Sequence, residues 1–420
     1  MSKLRLFLRS LFRKLWFIAL LYAVLALLTN VAAILIGPLL PEGLGEKLGA
    51  GAVETVLTIL TSSMLTVVTF SLGIMVSALS SAAAAVTPRA IELLKADGTT
   101  HRVLAVFLGS FLFGLIGIIA LNAGVLTDND RLVLFVVTIL VILIVVIAIL
   151  RWIAHLTVFG LMTDSIDKVE TAAQSALSAR MKSPYLGGHG HPGPAPAGAT
   201  PVYAKTIGYI RFLHMEVLQD CATAMGCQIY LAALPGTFVH PGMVLAHLEG
   251  TIPTLTDDLQ KAFTIGDTRS FDQDPRFGLS VLAEIAERAL SPAVNDPGTA
   301  IDVLGRAVRL LACTAETPTH KLEFPRIWVP PLMLDNMMED IFPPIARDGA
   351  AIFGVQIRLQ KALLALAQIA PARFGKLALL QAERAMQRSR NAMMEHERAA
   401  LNDVMDQIAA TANPHRPHPI

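Results

Sequence analysis

Charge is scarce in this chain. Asp, Glu, Lys and Arg together make up 16% of the residues, against about a quarter in soluble globular chains. Cysteine is rarer still, with 3 in all, Cys221, Cys227 and Cys313. An odd set without a CxxC pair excludes a disulfide framework and a cysteine-built zinc site, and reads as reduced thiols serving as small apolar side chains. The net charge of +1 and pI near 7.8 argue against a general nucleic-acid binder. Nor does the chain contain a nucleophile elbow, a phosphate-binding glycine loop, an HExxH helix or a dinucleotide fingerprint. No enzymatic activity, catalytic residue, cofactor or metal is therefore expected. In place of charge stands apolar surface: 54% of residues are hydrophobic, the mean hydropathy is +0.56, and the excess lies before Arg151.

That excess divides into four candidate transmembrane helices within residues 1–155. The first, about Leu15 to Ile36, follows Lys3, Arg5, Arg9, Arg13 and Lys14 and stops at Gly37-Pro38. It is too long for a cleavable signal core and reads as a retained signal-anchor. The third, about Val103 to Val125, and the fourth, about Leu132 to Ile153, flank the short loop Leu126–Arg131 and form a hairpin. Each is long enough for a ~30 Å hydrocarbon core. The basic N-terminal segment, the loop with Arg89, Lys95 and Arg102, and the chain from Arg151 onward fall on one side. Glu42, Glu46, Lys47, Asp128, Asp130 and Arg131 fall on the other. The positive-inside rule then places both termini in the cytoplasm, for a multi-pass protein of a bacterial inner membrane.

The second span differs from the others. No ionisable side chain occurs from Thr55 until Arg89, a length of ~50 Å as helix, so it is expected to tilt, kink or project before Pro88 ends it. Thr55, Thr58, Ser62, Thr66, Thr69, Gly73, Ser77 and Ser80 recur at steps of three and four and fall on one helical face. The opposite face carries Leu57, Leu60, Met64, Val68 and Met75. Such a stripe packs transmembrane helices closely, lines a water-filled path in an oligomer, or forms a lipid- or substrate-facing groove. No intramembrane carboxylate or arginine accompanies it, which disfavours a pump or proton-driven carrier.

Beyond the spans an α+β domain is expected. Residues 156–200 read as a helix and a Gly/Pro/His linker, whose His189 and His191, with His214 beyond, lack the rigid geometry of a metal site. Residues 201–256 read as a small β-barrel or sandwich, with β-prone runs separated by Pro235-Gly236 and Pro241-Gly242. Residues 257–411 read as mainly helical, broken at Pro343-Pro344 and Pro371, with a long amphipathic stretch from about Phe374 that packs on its own domain or between subunits. Residues 412–420 read as a disordered tail.

The most motif-like block is helix, sharp turn, helix. Asp274 and Arg276 precede the first helix, which holds Arg288 and is closed by Ser291 and Pro292. Asn295, Asp296, Pro297 and Thr299 open the second, with Asp296 as N-cap and Pro297 at the first helical position. Asp274, Asn295 and Asp296 could together offer oxygen ligands to a divalent cation, with Arg276 or Arg288 on an anion. Two capped helices joined by a rigid turn need no such assumption.

Four spans, the hydroxyl-rich second span ending in Thr87-Pro88-Arg89, the segment Val106-Phe-Leu-Gly109, the Pro-Gly turns and, above all, Ala289-Leu-Ser-Pro-Ala-Val-Asn-Asp-Pro-Gly-Thr-Ala300 resemble the bacterial membrane-protein family of domain of unknown function 2254. The resemblance implies a bacterial inner-membrane protein and carries no activity or ligand with it. Two functions from different classes lead, with an enzyme using lipid or nucleotide third for want of a catalytic constellation. One is a homo-oligomeric channel whose second span lines the path and whose cytoplasmic domain assembles or gates it. The other is a membrane-anchored sensor or scaffold binding a protein or small ligand. Both have the lipid bilayer as partner, and neither has nucleic acid.

Overall fold

The computed structural model describes residues 15–39, 41, 52–95, 97–124, 126–191, 193–250, 256–316 and 321–412. The basic N-terminal segment, the loop with Glu42, Glu46 and Lys47, and the expected tail after residue 412 lie outside the described residues. The chain divides into two compact units, Met1–Ser165 and Ile166–Ile420.

In the first unit, helix α1 spans Leu15–Ile36, α2 Val53–Ala85, α3 Pro88–Lys95, α4 Gly98–Asn122 and α5 Asp128–Leu156. Four of these are long and apolar enough to cross a membrane, over Trp16–Leu39, Val53–Ala83, Gly98–Asn122 and Asn129–Leu156. Helix α4 is the central one: half of its apolar window is buried, against 17% for α2. Glycine makes this possible. A Cβ on Gly114 would stand 2.2 Å from Thr61 Oγ1, and one on Gly117 would stand 3.0 Å from Leu57, so α2 lies directly on the α4 backbone. Phe107, Phe113, Leu134 and Leu57 fill the space between the helices.

Helix α2 runs as one 33-residue helix. As one helix of this length, ~50 Å, it is longer than a ~30 Å hydrocarbon core. The pre-proline position Thr87 then turns the chain, and the loop expected before the third span contains helix α3. Asp97 caps α4 by accepting from the Thr100 N–H at 2.8 Å and the Thr100 hydroxyl at 2.7 Å. His155, near the end of α5, meets the same carboxylate at 3.0 Å.

Helix α6, Met162–Lys182, leads into the second unit. Its strands are β1 His189–Gly190, β2 Thr200–Tyr203, β3 Gly208–Leu213, β4 Gln228–Leu231, β5 Phe238–Val239, β6 Val244–Glu249, β7 Phe263–Gly266 and β8 Ile327–Val329. Of the expected barrel or sandwich, the barrel does not form among the described residues. The strands form an open five-stranded sheet, β1-β8-β4-β6-β2, and a three-stranded sheet, β5-β3-β7. Both contribute to one apolar cluster with Ile210, Leu218, Ile229, Val239 and Ile327, to which helix α7, Met215–Met225, also belongs. Gly236 and Gly242 take φ +92 in the two Pro-Gly turns, a conformation that side chains with a Cβ avoid.

The Gly/Pro/His linker is likewise more ordered than its composition suggests. Strand β1 pairs in parallel with β8, and the His189 ring stacks on Trp328 at 4.4 Å. His191 meets the same indole edge-on, whereas His214 hydrogen-bonds Thr264 on the other sheet. Among the described residues no group of three or more His, Cys, Asp or Glu is placed to hold a metal ion.

After the short α8, Thr256–Lys261, the helices are α9 Phe277–Leu290, α10 Pro297–Ala312, α11 Leu334–Asp348, α12 Phe353–Ile369, α13 Pro371–Ser389 and α14 Glu395–Ala412. The break at Pro371 occurs as expected. The one at Pro343-Pro344 does not: both prolines lie inside α11. Ile341, Phe342, Ile345 and Ala346, all buried, hold both sides of the kink-prone site. Arg388 donates to the Pro343 carbonyl at 2.6 Å. The long amphipathic stretch becomes two helices, α13 and α14, packed within the unit through Phe374, Ala378, Leu401 and Ile408.

Candidate functional site

Every residue of the α2 stripe, Thr55, Thr58, Ser62, Thr66, Thr69, Gly73, Ser77 and Ser80, is exposed. The opposite face is used: Leu57, Leu60 and Met64 are buried, and Val68 and Met75 are half-buried. The stripe therefore has no packing partner among the described residues of its own chain. Four of its hydroxyls turn back on the helix. Thr58 donates to the Glu54 carbonyl at 2.8 Å, Ser62 to Thr58 at 2.8 Å, Thr66 to Ser62 at 3.1 Å and Thr69 to Leu65 at 2.9 Å. Each such bond satisfies the donor and leaves hydroxyl lone pairs outward. At Gly73 a Cβ would meet nothing within 4 Å. The result is a shallow, weakly polar and sterically open face.

The second set of predicted residues does not converge. Asp274 stands before α9 and Asp296 beyond it, on the order of 20 Å apart along a helix of this length, so a shared cation site with Asn295 does not form. Asp274 caps α9 instead, accepting from the Arg276 and Phe277 N–H groups at 3.1 and 3.2 Å, and pairs with Arg269 at 2.7 Å. Arg276 forms a two-pronged bond to Asp340, at 2.7 and 2.8 Å. Arg288 sits in the last turn of α9, where its carbonyl accepts the Ser291 hydroxyl at 2.6 Å. Pro292 follows, and Asn295 bends the chain with φ +50, a region that Asn tolerates. Asp296 accepts from the Thr299 N–H at 3.1 Å and its hydroxyl at 2.6 Å, with Pro297 at the first helical position. The Thr299 hydroxyl and N–H hold the Asp296 carboxyl below the usual carboxylate range. These residues make the rigid, capped helix–turn–helix that their spacing also allowed.

Two features went unnoticed in the sequence. Arg306, 6% exposed, reaches Asp167 at 2.5 Å, Glu170 at 2.6 Å and Asp302 at 2.7 Å; only the pairing with Asp302 follows from i,i+4 spacing. The other is Arg180. On α6 it continues the stripe Val169, Ala173, Ala176 and Leu177, all buried, and is itself 5% exposed. An arginine in phase with a buried stripe, with no acidic residue three or four positions away, was the available signal.

Four long apolar helices followed by a mixed helix-and-sheet unit define the class: a polytopic membrane protein carrying a second folded unit. The chain belongs to the family described as Predicted membrane protein (DUF2254), which matches residues 13–365. It is 28% identical over 302 residues to the uncharacterized protein Mb1321c of Mycobacterium bovis, covering 67% of this chain and 55% of that protein. The same figures hold for the uncharacterized protein Rv1290c of Mycobacterium tuberculosis. The chain thus spans about half the length of these relatives. No solved structure matches it.

Proposed function

We propose that this protein is a homo-oligomeric, channel- or permeation-type protein of the bacterial inner membrane, without enzymatic activity. In this reading both termini are cytoplasmic, and the unit beyond Ser165 assembles or gates the pore. The observation that supports it is the unpartnered stripe: α2 packs one face on α4 and leaves its hydroxyl face free. Small side chains let a second copy approach closely, and a ring of such faces around an axis would be a hydroxyl-lined path. Purified protein in planar bilayers is expected to conduct. Ser62→Trp and Thr66→Trp, both at exposed positions, are expected to lower conductance several-fold without loss of folding. A monomer by native mass spectrometry, together with silent bilayers, would sink this reading.

The second reading, a membrane-anchored sensor, is favoured by two cavities that meet at Arg180 in the unit beyond Ser165. In this reading the site lies at Arg180 and not at the Ser291–Ala300 turn, where Ser291, Asp296 and Thr299 are engaged in capping.

A further inference from the structure

We propose that the unit beyond Ser165 binds a small amphiphilic oxyanion, an apolar body bearing one carboxylate or phosphate, with the Arg180 guanidinium as its anchor. This deepens the sensor reading and is independent of whether the spans conduct.

The first support is an imbalance of charge. Arg180 is 5% exposed, and its Nη2 donates to the Pro330 carbonyl at 3.3 Å. Among the described residues its Nε is buried without a partner, and no carboxylate pairs with it. Three other arginines of the same unit are neutralised. Arg269 meets Asp274, Arg276 meets Asp340, and Arg306 meets three carboxylates. Burial pushes the Arg180 guanidinium down to about 10, so at neutral pH it is still a cation. A buried cation without a counter-ion is costly and is retained only where something compensates it.

The second support is space. Arg180 lines a cavity of about 250 Å³ and another of about 380 Å³. The larger holds Asp274, whose carboxylate is already engaged by Arg269 and the start of α9. The smaller has no acidic lining residue. Arg180 and Arg373 supply its positive charge, Tyr185 a hydroxyl, and Met181, Leu332 and Met337 its apolar wall. A guanidinium fork recognises a carboxylate or phosphate with two parallel hydrogen bonds, and a dry apolar wall strengthens them. The volume suits a metabolite-sized ligand or a single short acyl chain.

Two sources could supply this chemistry, a soluble organic acid or a lipid phosphate, and the test separates them. Full-length protein in a non-ionic detergent would be titrated calorimetrically with hexanoate, butyl phosphate and the single-chain hexanoyl lyso-form of phosphatidic acid, with hexanol as the uncharged control. Saturable binding of at least one anion, and none of hexanol, is expected. Preference for hexanoate or butyl phosphate marks a soluble ligand, and preference for the lyso-form of phosphatidic acid marks a lipid. Arg180→Gln is expected to weaken binding by about tenfold or more, and Arg373→Gln, at a more accessible position, by less.

A second readout distinguishes a binding arginine from a structural one. Arg180→Met removes an unpaired buried cation, so the ligand-free protein should melt at a higher temperature. A structural arginine would give a lower one. Absence of saturable binding to all three anions, or equal binding by wild type, Arg180→Gln and Arg373→Gln, would overturn the proposal. So would a lowered melting temperature for ligand-free Arg180→Met. Anion binding with silent bilayers would leave this inference standing and the channel fallen, and conductance without binding would do the reverse.

Discussion

At the scale of single residues, the charged groups of the second unit mostly serve as caps and clamps, and their energetics follow. Asp296 satisfies two donors at the start of α10. Asp296→Ala should therefore cost about 1 kcal/mol, seen as a lowered melting temperature, with insertion into the membrane unchanged. Arg306 is the more demanding case. Its Glu170 partner is 15% exposed, while Asp167 and Asp302 are about half exposed. Arg306→Met leaves Glu170 held by Arg309, so a loss of about 1.5–3 kcal/mol in chemical denaturation is expected, the range for hydrogen bonds to charged groups. The pH dependence has a definite sign. Hydrogen bonding from Arg309, with Arg306 beside it, lowers the Glu170 carboxyl below the ordinary carboxylate range. A group depressed on folding contributes stability that is present above its unfolded value and lost as pH falls through its folded one. Wild type should thus lose more stability between neutral pH and the acid range than Glu170→Gln, measured by denaturation at a series of pH values.

At the scale of elements, the two faces of α2 predict opposite responses to added bulk. Gly114→Val on α4 drives a side chain into Thr61, where even a Cβ would be 2.2 Å from the hydroxyl. It should destabilise the first unit by about 1–3 kcal/mol, and Thr61→Ala should recover part of that in a double-mutant cycle. Gly73→Leu faces open space. It should leave the stability of a dispersed monomer within about 0.5 kcal/mol of wild type. If copies associate through the stripe, it should also shift the oligomer distribution in native mass spectrometry. Helix α11 illustrates a different balance. Two interior prolines cost it backbone hydrogen bonds, and four buried side chains on either side of them outweigh that cost.

At the scale of the whole molecule, the positive-inside bias makes a topological prediction. Ala123→Cys, in the turn after α4, should react with a membrane-impermeant maleimide in spheroplasts, whereas the exposed native Cys313 should react only after lysis. Labelling of Cys313 from outside would reverse the orientation and with it the cytoplasmic placement of the second unit.

Much of this architecture was legible along the chain, for a common reason. Spans, stripes and caps are written in the nearest few residues: the uncharged runs, the three-and-four spacing from Thr55 to Ser80, and the Asp296-Pro297 start of α10. Other features depend on which distant segments meet. Strands β1 and β8, of 2 and 3 residues, are too short to carry a periodic signal and exist because β1 pairs with β8 and β8 with β4. Whether Pro343 and Pro344 break α11 depends on burial of their neighbours, which no window of sequence contains. The long uncharged second span, then, was set by local composition alone, because hydropathy and helical period are local. That its hydroxyl face has no partner among the described residues, and that Arg180 is buried with no carboxylate partner among them, were decided by tertiary packing, because a partner's absence is a property of everything that surrounds a residue.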